Sequence, residues 1–277
     1  LEILLVDKSP RVRYDISSLI FTGGLKMTVI IAEKPSLARN IVAGIQETQG
    51  GTLAKKNGYF EGDGYYVTWA FGHLFSLCDI EDYTGGDPKA KWSLEGLPCF
   101  PKEFRYKLKL GADKKVDAGV QRQFDIIKYL CLRPDVDKIV NAGDSDREGE
   151  IIIRLCVMNT GALDSGKRFL RLWLPDQTPE TVGKALSEMK DESEYQNLAD
   201  EGFARTYIDW LYGVNLTRYA TLKSGTLLRV GRVIVPIVRA IYDRDMAIRN
   251  FVPDVYFAAV SKEKTKDEEI ELVSKEK

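Results

Sequence analysis

The sequence predicts an α/β fold: a mostly parallel sheet flanked by helices, then a mainly helical segment that ends in a β-hairpin. Two observations carry this. Short apolar strands alternate with turns and amphipathic helices from Met27 to about Trp173, a pattern that builds a parallel sheet covered on both faces. After Trp173 long runs of helical spacing take over, and the last stretch, DVYFAAVSKEKTKDEEIELVSKEK, reads as two strands joined by a charged connection. The boundary falls between about 175 and 190, so that residues 27–180 form the α/β domain and 181–277 part of a helical one.

Each element has its own signal. TVIIAEKPSLARNIVAGI is a buried strand, a turn at Pro35 and a helix, with Ser36 near the helix start, where a hydroxyl can cap free amides. GYYVTWAFGHLFSL suggests further strands, and VDAGVQRQFDIIKYLCLR has helical spacing. The strand-turn-helix unit then recurs: DVDKIVNA is the strand, DSDREGE the turn, and GEIIIRLCVMNT the helix. TPETVGKALSEMK opens on a Thr-Pro-Glu helix start. NLADEGFARTYIDWLYGVNLTRYATL is a long amphipathic helix, and LLRVGRVIVPIVRAIYDRDMAIRNF a second, with Pro236 tolerated near its first turn. Trp69, Trp92 and Trp173 are expected in the core. Residues 1–26 are an extension of uncertain origin. Their ILLVDKSPRVRYDISSLI echoes VIIAEKPSLARNIVAGI at an offset of 26, Asp7-Lys8 falling where Glu33-Lys34 fall. The echo is read as two similar units meeting by coincidence, or as an extension ahead of a natural start at Met27.

Bulk properties narrow the function classes. No apolar run reaches the roughly 18–20 residues needed to span a bilayer. The first stretch lacks the basic start of a signal peptide. Cys78, Cys99, Cys131 and Cys156 stand far apart, and with one histidine in the chain they make neither a zinc site nor a disulfide framework. A reducing cytoplasm is the expected setting. The net charge of −1 hides a regional asymmetry: between Gly202 and Asn250 eight basic residues face three acids, a balance of +5 carried mostly by arginine. Arginine suits forked contacts with phosphate.

The chemistry centres on NAGDSDREGEIIIR, where Asp144, Asp146, Glu148 and Glu150 crowd into seven residues. In a doubly wound sheet, ligands bind at the carboxyl ends of the strands. Glu33 ends one strand and Asp144 and Asp146 follow another, so neighbouring strands would bring three or four carboxylates to one crevice. Hard oxygen ligands of that kind suit Mg²⁺ or Mn²⁺ with a phosphate as further ligand. The simpler reading is a capping box, Ser145 to Glu148, with acids favoured at a helix start by its dipole. That accounts for one or two of the acids and leaves Glu33 unexplained.

EKPS after an apolar strand, VTWAFGHL, a W-S-L-E-x-L-P segment before a KLK strand, DSDREGE, FARTYIDWLYGVNLTR, and GRV before Pro236 occur in this order. In this the chain resembles the type IA DNA topoisomerases, and within them bacterial topoisomerase III, from Met27 to about Phe257. The acid motif alone would indicate only a Toprim domain, a Rossmann-like module shared with primases, RecR-like recombination proteins and some nucleases; FARTYIDWLYGVNLTR narrows it. The resemblance implies that Asp144, Asp146 and Glu148 hold Mg²⁺ and that Glu33 sits beside the scissile phosphate and helps in proton transfer. It implies that Lys34 stabilises charge and protonates the leaving 3′ oxygen, where the residue-level alternative is an exposed turn lysine. Arg147 would fork onto phosphate or pair with the neighbouring acids. His73, in FGHL, is expected to be structural. Arg205, Asn215, Arg218, Arg229 and Arg232 would line a groove for single-stranded DNA, although Arg205 and Asp209, four apart, also make a plain helical ion pair.

The chain departs from the family in two places. Where the family reads S-x-GRVQ-T-P, this chain has Arg229-Val-Gly-Arg-Val-Ile234-Val-Pro, which removes a glutamine from the groove. No tyrosine stands in the Y-x-R-T-[DN]-S-like context of the family's nucleophile. The chain therefore reads as an amino-terminal fragment, inactive alone and monomeric, whose partners are single-stranded DNA and the remaining domains of the same polypeptide, with no membrane. Its rivals are a Toprim nuclease using metal-activated water and a non-catalytic DNA-binding module with structural acids.

Overall fold

The computed structural model describes residues 26–87, 90–255 and 257–274. The Asp7-Lys8 echo lies outside the described residues. Strand β1 (Met27–Ala32) is buried at every position after the first, as an apolar run with two covered faces requires. Helix α1 (Pro35–Gln49) starts on Pro35, whose missing N–H costs nothing there. Its N-cap is Lys34 in an extended conformation with no side-chain cap, so the expected cap at Ser36 is not the one formed. Strands β2 (Ala54–Lys55), β3 (Tyr59–Gly62) and β4 (Tyr65–Trp69) follow. The β3–β4 hairpin turns through Asp63 and Gly64, both at positive φ, which suits the strand twist.

Strand β5 (Phe75–Leu77), short helix α2 (Ile80–Thr84) and strand β6 (Tyr106–Leu108) come next; β5 and β6 form a small antiparallel pair. Helix α3 (Ala118–Leu132) is capped by Asp117, and β7 (Val136–Ala142) leads to α4 (Arg147–Met158). Strand β8 (Arg168–Arg171), helix α5 (Pro179–Ser187, capped by Thr178) and strand β9 (Lys190–Asp191) complete the α/β part. Then come α6 (Gln196–Ser224), α7 (Ile234–Arg249) and the antiparallel hairpin β10 (Val260–Lys264) and β11 (Glu269–Val273).

The main sheet has the order β2-β3-β4-β1-β7-β8-β9. Its centre, β4-β1-β7-β8, is parallel, and the outer strands are antiparallel. One face packs Ile30, Ala32 and Val140 against α1 and α5; the other packs Val29, Ile31 and Ile139 against α3 and α4. Burying each such side chain contributes about 1.5–3 kcal/mol, which makes β1 and β7 the most firmly held strands and their carboxyl ends a rigid base for a site.

The chain forms two compact units, one of residues up to Lys91 with Pro98–Trp210, the other of Trp92–Leu97 with residues from Leu211 on; the division falls within α6. The second unit holds the end of α6, α7 and the hairpin, and α7 buries none of its residues. Among the described residues all four cysteines are free and buried, and no helix is long and apolar enough to cross a membrane.

Candidate functional site

Strands β1 and β7 pair in parallel with Ala32 opposite Ala142, so Glu33 and the Gly143–Asp146 loop leave the sheet side by side. The Asp144 amide donates to Glu33 Oε2 at 3.1 Å, and Lys34 Nζ donates to Asp144 Oδ2 at 2.7 Å. The adjacent Glu33 and Lys34 thus meet Asp144, more than a hundred positions away, at the carboxyl ends of two central strands. Burial raises the Glu33 carboxyl above the usual carboxylate range; the Asp144 amide opposes the shift and the Asp144 charge adds to it. The hydrogen bond to Asp144 raises the Lys34 ammonium above the usual lysine range.

The loop closes tightly on α4. A Cβ on Gly143 would strike the Gly149 backbone, and one on Gly149 would strike the Asp144 backbone, so both positions exclude a side chain. The helix cap is Asp146, which accepts from the Gly149 amide at 2.7 Å; Ser145 Oγ is buried without a hydrogen-bond partner. The cap therefore belongs to Asp146 and not to the expected Ser145 box. Glu148, half exposed, lies 2.6 Å from His73 Nε2, which joins the sole histidine to the acid set. Arg147 pairs with Glu201 of α6. Beside the loop lies a cleft of about 380 Å³ lined by Asp146, Arg147, Glu148, Leu198, Glu201 and Arg205; Arg205 also reaches Asp209, at 3.8 Å. Gly202 lets α6 approach this closely, since a Cβ there would meet Arg147 O and Ile151.

Glu33, Lys34 and Asp144 are brought together, while Asp146 and Glu148 are engaged separately. No group of three His, Cys, Asp or Glu side chains is drawn into a metal-holding arrangement among the described residues. By chemistry alone Asp144 and Asp146 on the loop and Glu148 in the first turn of α4 offer carboxylate oxygens, the type of ligand that a hard divalent cation takes.

The fourth acid of the cluster faces inward. Glu150 is fully buried, with Oε1 accepting from Arg154 Nε at 2.9 Å and Oε2 at 2.9 Å from Arg171 Nε, an ion pair without hydrogen-bond alignment. Asn141 Nδ2 donates to Glu150 O, to Glu150 Oε2 and, at 2.7 Å, to Glu192 Oε1. Arg154 Nη2 donates to Glu192 O at 3.0 Å. The only sequence signal for this cluster is the four-residue spacing of Glu150 and Arg154.

The second-unit candidates divide by exposure. Asn215 is buried, its amide donating to Leu211 O at 2.9 Å, and Arg218 is buried with its guanidinium 5.0 Å from the Trp92 ring. Trp92 itself is 39 % exposed, not a core residue as expected. Arg229 and Arg232 are exposed on the segment between α6 and α7. Thr217 Oγ1 clasps that segment, accepting from Val230 N at 2.9 Å and donating to Val230 O at 3.1 Å.

The family models agree with this architecture. The Toprim domain model matches residues 28–171, more than half of the chain, and the DNA topoisomerase model matches residues 193–277. DNA topoisomerase 3 of Staphylococcus epidermidis is 37% identical over 231 residues, 83% of this chain and 30% of that protein. The corresponding proteins of Shouchella clausii and Bacillus subtilis are 37% and 36% identical, over 84% of this chain and 29% and 30% of theirs. The chain spans about 30% of the length of these curated relatives. A β1–β7 edge bearing EKPS and DSDREGE, followed by the α6 sequence, places the chain in the Toprim family, as the amino-terminal, Toprim-bearing region of a type IA, topoisomerase III-like protein.

Proposed function

We propose that this region supplies the metal and phosphate site, and part of the single-stranded DNA path, of an enzyme that cleaves, passes and rejoins DNA strands. The observation that carries the reading is the junction of Glu33, Lys34 and Asp144 at the carboxyl ends of the two central strands. Asp144, Asp146 and Glu148 would hold Mg²⁺, which when bound supplies positive charge to a phosphate. Glu33, with its raised affinity for a proton, is suited to take one up beside that phosphate. Lys34, kept protonated by Asp144, is suited to give one to a leaving oxygen and to stabilise its charge.

Arg205, Arg229 and Arg232 supply the backbone contacts in this reading, while buried Asn215 and Arg218 support the α6 scaffold. Ile237, Val238, Ile241 and Tyr242 leave an apolar stretch of α7 exposed, which supports packing against further domains of the same polypeptide. With no tyrosine in the nucleophile's context, this chain binds DNA at low salt and does not nick it.

A second reading, a non-catalytic module with structural acids, is favoured by the internal partner that each acid has: Lys34, the α4 amide and His73. Titration of Mn²⁺ and Mg²⁺ into the wild type and into Asp144→Asn/Asp146→Asn decides between them. Saturable binding lost in the double variant is expected; equal binding by both proteins favours the second reading.

A further inference from the structure

We infer that Arg171 is a positioning residue, which sets the course of the acid-bearing loop from inside the protein, with Glu150 retained as its counter-charge. The pairing of β7 with β8 ends at Asn141 opposite Arg171, and beyond that point the loop carbonyls have no strand to meet. The Arg171 side chain, fully buried, takes over where the ladder stops. Nη1 donates to the carbonyls of Asn141 at 3.1 Å, Gly143 at 2.9 Å and Leu172 at 3.1 Å, and Nη2 donates to that of Asp144 at 2.8 Å. One planar fork thereby fixes the Asn141 carbonyl near the end of β7 and two successive carbonyls of the loop, those of Gly143 and Asp144. Lysine, with a single ammonium, cannot span them.

The same residue, Asp144, is held from the other side by Glu33, which accepts from its amide. Arg171 behind and Glu33 in front pin the peptide that aims the Asp144 carboxylate. The Asp144 carbonyl also accepts from Asp146 N at 2.8 Å, so the hold passes directly to the next acid.

Burying a guanidinium is costly unless it is paired. Glu150 Oε2 supplies the pairing at 2.9 Å, and the Trp173 and Tyr195 rings lie 5.0 and 5.9 Å from the guanidinium carbon. Glu192 extends the network through Asn141 and Arg154. Apolar residues of similar volume generally stabilise a core at least as well as a buried ionic cluster. Packing alone therefore does not account for the cluster, whereas loop geometry does. Glu150 belongs in the acid motif for this reason: it is the anchor of the arginine that shapes the loop.

The test compares the 277-residue chain with Arg171→Lys and with the charge-neutral double variant Arg171→Met/Glu150→Met. Peptide-resolved hydrogen–deuterium exchange follows residues 143–149, with α1 as internal reference, and Mn²⁺ binding is followed by electron paramagnetic resonance. Arg171→Lys is expected to keep wild-type circular dichroism, to speed exchange in the loop about tenfold with α1 unchanged, and to weaken Mn²⁺ binding about tenfold. The double variant is expected to loosen the loop in the same way; should it fail to fold, Arg171→Lys decides. Wild-type exchange over 143–149 in Arg171→Lys, or acceleration shared equally by α1, overturns the assignment. The Mn²⁺ arm rests on the function proposed above, the exchange arm does not: a wild type that binds no Mn²⁺ counts against that function and leaves exchange to decide the role of Arg171.

Discussion

Glu192→Gln should remove a pH dependence of stability that the wild type shows between pH 5 and 8. Glu192 is 3 % exposed, and burial, with the nearby Glu150 carboxylate, pushes its carboxyl up to about 8, against opposing help from Asn141 and Arg154. Its Oε2 is buried with no donor to satisfy it, whereas a proton on Glu192 gives that carboxyl a bond to donate toward Glu150. The folded state therefore holds a proton that the unfolded carboxyl, at its ordinary 4.5, releases. Below the unfolded value both states are protonated and the full stability is present. As pH rises toward 8 only the unfolded state loses its proton, so stability falls by up to about 1.4 kcal/mol per pH unit and a few kcal/mol across the window. Glutamine copies the protonated form, keeping one acceptor for Asn141 and offering donors toward Glu150. Urea denaturation by tryptophan fluorescence at pH 5, 6, 7 and 8 measures the difference, and other titrating groups cancel between the two proteins. Parallel curves for wild type and variant, or a Gln variant weaker by several kcal/mol at every pH, would refute the assignment of that proton.

Two further outcomes test the loop and the groove separately. Gly149→Ala pushes a methyl into the Asp144 backbone and should cost at least about 2 kcal/mol of stability, read from the denaturant midpoint; a neutral substitution would mean that the loop is free to move off α4. Arg229→Ala should weaken binding of a single-stranded oligonucleotide and lower the log–log salt slope by about 0.7, whereas Asn215→Ala should leave the slope alone and act on stability; the reverse pattern would mean that the buried residue is the one touching DNA.

Much of the frame was legible in the sequence, because apolar runs and helical spacing report burial directly. The β1–α1 and β7–α4 units, the Thr-Pro start of α5, the long α6 and the final hairpin all stand where the pattern puts them. The edge strands β2 and β9 were not legible: each is two exposed residues whose pairing is decided by the neighbouring strand. Within the loop the sequence offers two capping residues in adjacent positions, Ser145 and Asp146. Asp146 is the one that caps, and the close approach of Gly143 to Gly149 that accompanies it has no signal in the acid pattern. The direction in which each acid faces was equally hidden. Glu148 and Glu150 are two apart at a helix start, yet one meets His73 at the surface and the other meets two arginines in the core. For the basic residues, spacing gave membership of a helix but not exposure, so nothing in the sequence announced that Arg218 is buried with its guanidinium over Trp92.

The crowding of four acids into seven residues has a physical resolution in where their charges are answered. Lys34, donated by the neighbouring strand end, answers Asp144; the amide of Gly149 answers Asp146; His73 meets Glu148; and Arg154 with Arg171 answers Glu150. The fold thus holds the cluster together by itself, at the edge of a sheet, with two of the answering groups (Lys34 and His73) partly exposed. Under the proposed function, a cation drawn to Asp144 and Glu148 competes with these two groups before it gains anything, so its affinity for the protein alone is set low. A backbone phosphate entering the site offers Lys34 an alternative anion and offers the cation further oxygens, and both changes favour the same exchange of partners. Cation and nucleic-acid backbone should therefore bind with positive coupling: Mn²⁺ affinity measured with a single-stranded oligonucleotide present should exceed that of the chain alone, and Lys34→Met should shrink the difference by strengthening the oligonucleotide-free affinity.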